Sequence, residues 1–224
     1  MRADPAASIR AVMFDLDGTL VDTAGEITLA INRTLAELQL RALSKKSVEN
    51  LIGRGVHSMV ERSLQQGPAT AIDVDAAVAR FEDHYAKTVG SEALLFPGVA
   101  EGLMLLHEGG YPLAVVTNKQ RYFTERLLEG LAVMPLFTAL VTGDDGIRRK
   151  PYGDMLVAAC RLLGSAPGAT LMIGDSDNDV LAARAAGCPV WCVSYGYNEG
   201  RAPETLACDR LLTGVDVAAR LLQP

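Results

Sequence analysis

The sequence predicts an α/β protein built on a doubly wound parallel sheet, with one helical insertion. Short apolar runs rich in β-branched residues alternate with longer stretches of helical periodicity. The runs show no polar alternation, which is typical of strands buried on both faces, and helices between parallel strands form right-handed crossovers. One interval, residues 22–92, breaks the alternation because it contains only helical patterns.

The elements follow one another along the chain in a simple order. Strands are predicted at residues 9–14, 113–116, 139–141, 170–173, 190–193 and 210–212. Inside the interrupted interval, helical patterns cover residues 27–38, 56–64 and 74–88. The turn signal Phe-Pro-Gly at residues 96–98 marks the point where the chain re-enters the core. We therefore predict a core formed by residues 1–21 and 93–224, with residues 22–92 as the insertion.

Composition excludes several partners. The chain of 224 residues has a formal net charge of −6, so no global basic field attracts nucleic acid or an anionic membrane surface. No apolar run approaches the roughly 18 residues needed to span a bilayer, and the N-terminus lacks a secretion signal. We expect a soluble, cytoplasmic protein, and the sequence leaves its oligomeric state open.

The four cysteines do not form a metal-binding pattern. No two of them form a Cys-x-x-Cys pair, and none has a histidine at zinc-ligand spacing; they are Cys160, Cys188, Cys192 and Cys208. We expect them to be reduced and mostly buried.

Two carboxylates follow the first predicted strand directly. Open parallel sheets bind ligands at the carboxyl ends of their strands, and Asp15 and Asp17 point to the same side of extended backbone. Two unit charges about 4 Å apart repel by about 4 kcal/mol at an effective dielectric constant of about 20. The pair therefore calls for a proton or a cation, and Mg²⁺ would satisfy it. The Asp-Gly step at 17–18 is also common in hairpins, but no matching second strand follows.

The second and third strands also end in polar residues. Thr117, Asn118 and Lys119 precede a helical pattern, where a hydroxyl and backbone N–H groups can cap a helix, bind an anion or do both. The basic residues 148–150 resemble a solvated cluster in isolation. A single lysine at this position, Lys150, could instead place its ammonium beside a phosphate and an attacking carboxylate.

The fourth strand leads into an acidic loop at residues 174–179, Gly-Asp-Ser-Asp-Asn-Asp. Acidic residues in a first helical turn can simply interact with the helix dipole. A calcium-binding EF-hand loop is excluded because Val180 and Ala186 stand where that loop needs Gly and Glu.

Taken together, residues 15–23, 117–119, 150–151 and 174–179 resemble the four ordered motifs of the haloacid dehalogenase superfamily. The resemblance spans nearly the whole chain. It implies a Rossmann-like core with a helical cap domain, neighbouring first and fourth strands, and magnesium-dependent phosphoryl transfer.

The resemblance also implies a role for each motif residue. Asp15 would be the nucleophile, and Asp17 would first protonate the leaving oxygen and then activate water. Thr117 and the backbone of Asn118 would hold phosphoryl oxygens, and Lys150 would neutralise developing charge. The implied Mg²⁺ ligands are the Asp15 carboxylate, the Asp17 backbone carbonyl and Asp175, with Asp179 in support. Dehalogenases that cleave carbon–halogen bonds lack an acid at the position of Asp17, so phosphate chemistry is favoured.

Three weaker segments concern the substrate. Residues 51–55, 96–98 and 194–198 are similar to those of bacterial phosphoglycolate phosphatases, which implies hydrolysis of 2-phosphoglycolate, a small phosphorylated metabolite. Arg54 could pair with the substrate carboxylate or could simply be solvated. Residues 150–153, Lys-Pro-Tyr-Gly, depart from the Lys-Pro-x-Pro more usual in these relatives. Tyr195 and Tyr197 are expected to pack beside the site, and no role is assigned to His57, His84 or His107.

Two alternatives remain open at the level of sequence. A sugar phosphomutase or sugar-phosphate phosphatase of the same superfamily would share all four motifs. A phospho-receiver signalling module is an alternative of another class, because Thr142, Asp144 and Asp145 follow the third strand. The insertion and the acidic loop after the fourth strand argue against a receiver.

Overall fold

A computed structural model describes residues 9–65 and 72–223. The predicted core also includes residues 1–8 and 224, and the insertion includes 66–71, all of which lie outside the described residues.

The strands form one large parallel sheet and one small antiparallel sheet. In chain order the strands are β1 (Ala11–Phe14), β2 (Val21–Asp22), β3 (Leu94–Leu95), β4 (Leu113–Val116), β5 (Ala139–Val141), β6 (Thr170–Gly174), β7 (Val190–Val193) and β8 (Arg210–Leu212). The large sheet has the order β5-β4-β1-β6-β7-β8, and every pair in it is parallel. All six predicted strands are present, so the predicted α/β class is confirmed. The first begins two residues later than predicted, and the fourth ends one residue later.

The small sheet was not predicted. Strands β2 and β3 pair antiparallel, with Val21 opposite Leu95 and Asp22 opposite Leu94. Each strand has only two residues, which is too short for an alternating pattern to be recognised. The pairing joins the two chain segments that lead into and out of the insertion.

The helices pack on both sides of the large sheet and fill the insertion. They are α1 (Ala24–Glu37), α2 (Lys45–Glu49), α3 (Val56–Leu64), α4 (Val74–Thr88), α5 (Val99–Glu108), α6 (Arg121–Gly130), α7 (Asp154–Leu162), α8 (Asp177–Ala186) and α9 (Val215–Leu222). Helices α3 and α4 have their predicted bounds. Helix α1 begins three residues earlier than the predicted pattern and ends one residue earlier. Helix α2 was missed because its five residues are too few to show a helical period.

Two apolar clusters occupy the two faces of the large sheet. Along β1, Val12 and Phe14 belong to one cluster, and Ala11 and Met13 belong to the other. This division follows from the alternation of side chains along a strand. The first cluster continues into the helices of the insertion, so the insertion and the core share one apolar interior.

Within residues 9–65 and 72–223, each helix is too short or too polar to cross a bilayer. The four cysteines are free thiols; three are buried, and Cys208 is partly exposed.

The buried face of α5 provides a test of the core. We expect Leu103→Ala to lower the free energy of unfolding by about 2–5 kcal/mol, because this side chain is 0% exposed and its loss leaves a cavity. Met104→Ala on the same helix is the matched control, since its side chain is 52% exposed, and we expect a change of about 0.5 kcal/mol or less. Denaturant unfolding measures both, and equal losses would contradict the described packing.

Candidate active site

The polar motifs meet at one edge of the large sheet. Asp15 follows β1, which lies between β4 and β6, so Asp15 is central. Thr117 follows β4 on one side, and Asp175 follows β6 on the other. The first and fourth predicted strands are therefore neighbours, as the resemblance implied.

Lys150 links two of the acids. Its ammonium lies 2.8 Å from Asp15 Oδ1 and 2.7 Å from Asp179 Oδ1, and the residue is 3% exposed. Burial by itself would lower the pKa of Lys150, but the charges of Asp15 and Asp179 raise it above its ordinary value. Lys150 therefore stays positively charged inside the protein.

The acids form a buried cluster with more negative charge than Lys150 can balance. Asp15, Asp175 and Asp179 each offer one oxygen, and these oxygens all lie within 4.8 Å of one another. Burial, with Asp179 and Asp17 nearby, raises the pKa of Asp15 to about 7 although Lys150 opposes the shift. Burial and the charges of Asp179 and Asp15 raise the pKa of Asp175 to about 8. A divalent cation with oxygen ligands, such as Mg²⁺, fits this all-carboxylate cluster.

Hydrogen bonds fix each acid in the cluster. Asp15 Oδ1 accepts the Leu16 N–H at 2.7 Å. Asp175 accepts the Thr19 hydroxyl at 3.0 Å through Oδ1 and the Tyr197 N–H at 2.8 Å through Oδ2.

Asp179 is the third residue of α8 and forms a capping box with Ser176. Its Oδ2 accepts the Ser176 hydroxyl at 2.8 Å and the Ser176 N–H at 3.1 Å, while its other oxygen binds Lys150. Asp179 therefore links the first turn of α8 to Lys150.

Two glycines allow the backbone to approach Asp175. A Cβ atom on Gly196 would lie 2.1 Å from the Asp175 Cβ, and one on Gly18 would lie 2.5 Å from Asp175 Oδ2. Gly18 also has a φ of +90°, a conformation that other residues rarely adopt.

Asp17 is bound by a lysine to which sequence reasoning gave no role. The Lys119 ammonium lies 2.9 Å from Asp17 Oδ1 and 3.1 Å from Oδ2, and the Thr23 hydroxyl donates to Oδ1 at 2.6 Å. The Lys119 side chain is only 4% exposed. Lys119 belongs to the motif at residues 117–119, and its position two residues after Thr117 was the available signal. Because the Asp17 side chain is engaged here, its predicted contribution to a metal site concerns its backbone carbonyl, and this remains a prediction.

The insertion supports Lys119 from the other side. Its ammonium lies 4.8 Å from the centre of the Tyr85 ring, and the Tyr85 hydroxyl donates to Glu26 at 2.8 Å. Glu26 also accepts the Gly90 N–H at 2.7 Å. Burial raises the pKa of Glu26, and the hydrogen bond from Tyr85 and the charge of Lys119 oppose that rise. A chain of contacts thus runs from the insertion to Asp17.

Thr117 and Asn118 complete the site. Thr117 is 2% exposed, and its hydroxyl accepts the Lys119 N–H at 3.2 Å. The Asn118 side chain accepts the Lys150 N–H at 3.0 Å and donates to the carbonyls of Lys150 and Gly53, each at 2.9 Å. Asn118 therefore connects the loop that carries Lys150 in the core to the loop that carries Gly53 in the insertion. The sequence did not indicate this role.

A small cavity of about 40 Å³ lies next to Asp15 and Asp17. Asp15, Asp17, Thr117, Asn118 and Lys119 line its core side. On the side of the insertion the lining side chains are mostly apolar: Ile27, Ile52, Val56, Met59, Phe81 and Tyr85.

Arg54 lies outside this cavity. Its guanidinium pairs with Glu199, with Nη2 2.8 Å from Oε2, and its side chain is 53% exposed. It lines a separate, polar cleft together with Lys150 and Arg201.

The remaining sequence candidates lie around the site. The Tyr195 hydroxyl donates to the Thr19 carbonyl at 2.8 Å, and the Tyr197 hydroxyl donates to Asp22 at 2.8 Å. His84 bonds Glu37 at 2.8 Å in the insertion. Among the described residues that line the cavity there is no histidine.

With this geometry, comparison with known proteins assigns the family. The sequence model described as haloacid dehalogenase-like hydrolase matches residues 12–193. The chain belongs to this family. It is 41% identical to a phosphoglycolate phosphatase of Nitrosospira multiformis, with 96% of each chain covered. It is 43% identical to a plasmid-borne phosphoglycolate phosphatase of Cupriavidus necator, over 96% of this chain and 93% of the relative.

Solved structures agree with this assignment. A crystal structure of a predicted phosphoglycolate phosphatase from Haemophilus somnus has a TM-score of 0.91 at 29% identity, covering 96% of this chain and 99% of that one. CbbY from Rhodobacter sphaeroides, in complex with phosphate, has a TM-score of 0.78 at 25% identity, covering 93% and 95%.

The family resolves one alternative left open by the sequence. The prediction of an enzyme, a phosphoric monoester hydrolase, is confirmed. A phospho-receiver is the wrong class of protein for this chain. Asp144 and Asp145 had suggested a receiver. Each accepts a hydrogen bond from the Thr142 hydroxyl at 2.9 Å, which stabilises the loop after β5.

The raised pKa values predict how stability depends on pH when no metal is present. A carboxyl whose pKa rises from 3.8 to about 7 or 8 on folding binds its proton more tightly in the folded state, so stability falls as pH rises through that range. We expect the melting temperature of chelator-treated protein to drop between about pH 5 and about pH 8.5.

Asp175→Asn is the matched variant, because it removes one of the buried charges. We expect its melting temperature to fall less over the same pH range. A variant with the same pH dependence as the parent protein would contradict the assignment of the shift to this cluster.

Proposed function

We propose that the chain is a magnesium-dependent phosphomonoesterase that acts through an aspartyl-phosphate on Asp15, with 2-phosphoglycolate as its preferred substrate. One observation carries the proposal: Asp15 contacts the buried Lys150 at 2.8 Å within a cluster of acids, and Asp17 lines the same cavity. The proposed nucleophile Asp15 is thus paired with a buried cation, Lys150, and shares a small cavity with a second acid, Asp17.

The proposed reaction has two steps. An Asp15 carboxylate oxygen attacks phosphorus, the ester P–O bond breaks, and Asp17 gives its proton to the leaving oxygen. Asp17 then takes a proton from water, which attacks the acyl phosphate, releases inorganic phosphate and restores Asp15. Lys150 and Thr117 offset the charge that gathers on the phosphoryl oxygens.

The acid cluster suits Mg²⁺. Asp15 and Asp175 would hold the ion, with the Asp17 backbone carbonyl as a further ligand and Asp179 supporting the cluster. When bound, Mg²⁺ would neutralise charge on the transferring phosphoryl group. Lys150 provides the fixed positive charge beside Asp15, and its two ion pairs hold it in place.

We further propose that residues 22–92 act as a cap domain on a catalytic core of residues 1–21 and 93–224. The cavity supports this division, because core residues line one side of it and residues of the insertion line the other. The pairing of β2 with β3 lies at the boundary. Closing the cap would exclude water from the reacting groups.

The size of the cavity and the named relatives support a small substrate. Phosphoglycolate phosphatases match nearly the whole chain at about 40% identity. The space above Asp15 and Asp17 is small, which favours a leaving group of few atoms. Two cations are candidates for binding the glycolate carboxylate, namely Arg54 and Lys119.

Sugar-phosphate chemistry is the second candidate function. The polar cleft beside Lys150 favours it, because its lining residues could bind the hydroxyl groups of a sugar. Product analysis separates the possibilities: free phosphate from 2-phosphoglycolate supports the main proposal, and isomerised sugar phosphate would replace it with a mutase.

A substrate panel tests the proposal directly. We expect 2-phosphoglycolate to be hydrolysed with kcat/KM at least about 10-fold above that of common sugar phosphates, and chelation to remove the activity. Asp15→Asn should lower kcat by at least about 10³-fold, because it removes the nucleophile.

Asp83→Asn is the control variant, since Asp83 is exposed on α4, and we expect it to keep parental activity. Full activity of Asp15→Asn, or equal turnover of many sugar phosphates with no preference for phosphoglycolate, would refute the corresponding part of the proposal.

A further inference from the structure

Lys119 is a buried cation beside the site, and its observed contacts give it no catalytic step of its own. We propose that Lys119 determines substrate specificity by binding the carboxylate of the leaving group. This inference rests on the proposed function, since it names the residue that distinguishes phosphoglycolate from uncharged phosphate esters.

The lining of the cavity points to Lys119. Among the described residues that line it, Lys119 is the one cation, and the acids Asp15 and Asp17 would repel a carboxylate that enters there. The side chains of the insertion offer mostly apolar surface. An anionic leaving group placed in this space therefore needs Lys119 to offset its charge.

The distances suit a substrate with a carboxylate close to the ester oxygen. Lys119 Nζ lies 2.9 and 3.1 Å from the two oxygens of Asp17, the residue proposed to protonate that ester oxygen. In phosphoglycolate a single methylene separates the ester oxygen from the carboxylate. An ammonium in contact with Asp17 is therefore within reach of the carboxylate when Asp17 faces the ester oxygen.

Lys119 also retains capacity for another partner. An ammonium has three N–H donors, and its described hydrogen bonds all go to Asp17. Above it lies the face of Tyr85, whose hydroxyl is bound to Glu26 and is not directed to the ammonium. Because the lysine is held on two sides, little side-chain entropy is lost when a substrate binds.

Arg54 is the weaker candidate for this role. Both cations are already paired with a carboxylate, but about half of the Arg54 side chain is exposed and it does not line the cavity. A solvated ion pair at this position contributes less to binding than a buried cation does.

The test compares two esters that differ only at the carboxylate, 2-phosphoglycolate and ethyl phosphate. We expect Lys119→Met to lower the ratio of their kcat/KM values by at least about 30-fold. Arg54→Met is the matched variant and should leave the ratio within about threefold. Both substrates are assayed on one preparation, so any loss of folded enzyme cancels in the ratio.

A binding measurement covers the case in which Lys119→Met is too slow to assay. The non-hydrolysable analogue 3-phosphonopropionate carries the carboxylate, and propylphosphonate lacks it. Calorimetry on the magnesium-loaded protein should show that the parent prefers 3-phosphonopropionate and that Lys119→Met loses this preference.

The outcomes separate the two proposals. Equal losses toward both esters and an unchanged preference between the two phosphonates would mean that Lys119 only positions Asp17, which overturns the specificity role. Collapse of the ratio in Arg54→Met instead would transfer the role to Arg54. A parent enzyme without any preference for 2-phosphoglycolate over ethyl phosphate would refute the proposed substrate itself, and the role of Lys119 with it.

Discussion

The concentration of like charge at one edge of the sheet is the constraint on which the rest of this structure depends. Asp15, Asp175 and Asp179 are all buried, and Lys150 is the cation that bonds two of them. Burying such groups costs stability unless each is paired and hydrogen-bonded. The capping box of α8 and the Tyr197 N–H supply hydrogen bonds that offset the cost of burying these acids.

Much of the architecture could be predicted because it depends on local patterns. Buried parallel strands are continuous apolar runs, and all six runs became strands of the large sheet. The acids at 15, 17, 175 and 179 follow strand ends, so their convergence required only that β1 and β6 be neighbours. The two-residue strands and α2 escaped prediction because a period cannot be recognised in so few residues.

The missed parts of the site depend on partners distant in sequence. Lys119 bonds Asp17, which lies 102 positions away, and the Asn118 side chain reaches Gly53, 65 positions away. No motif spacing encodes such a contact in a single sequence. Arg54 differs, because a loop cation next to glycines suggested a group that binds the substrate carboxylate. The structure shows that its guanidinium pairs with Glu199, and its role in binding stays a prediction.

The double attachment of Asn118 has a mechanical consequence. One carboxamide bridges the Gly53 carbonyl of the insertion and both backbone polar groups of Lys150. If the insertion moves away to admit a ligand, as we propose, the bond between Asn118 and Gly53 would break, and the loop carrying Lys150 would lose one of its restraints. In the proposed mechanism, covering of the cavity by the insertion and fixing of the Lys150 loop would therefore occur together.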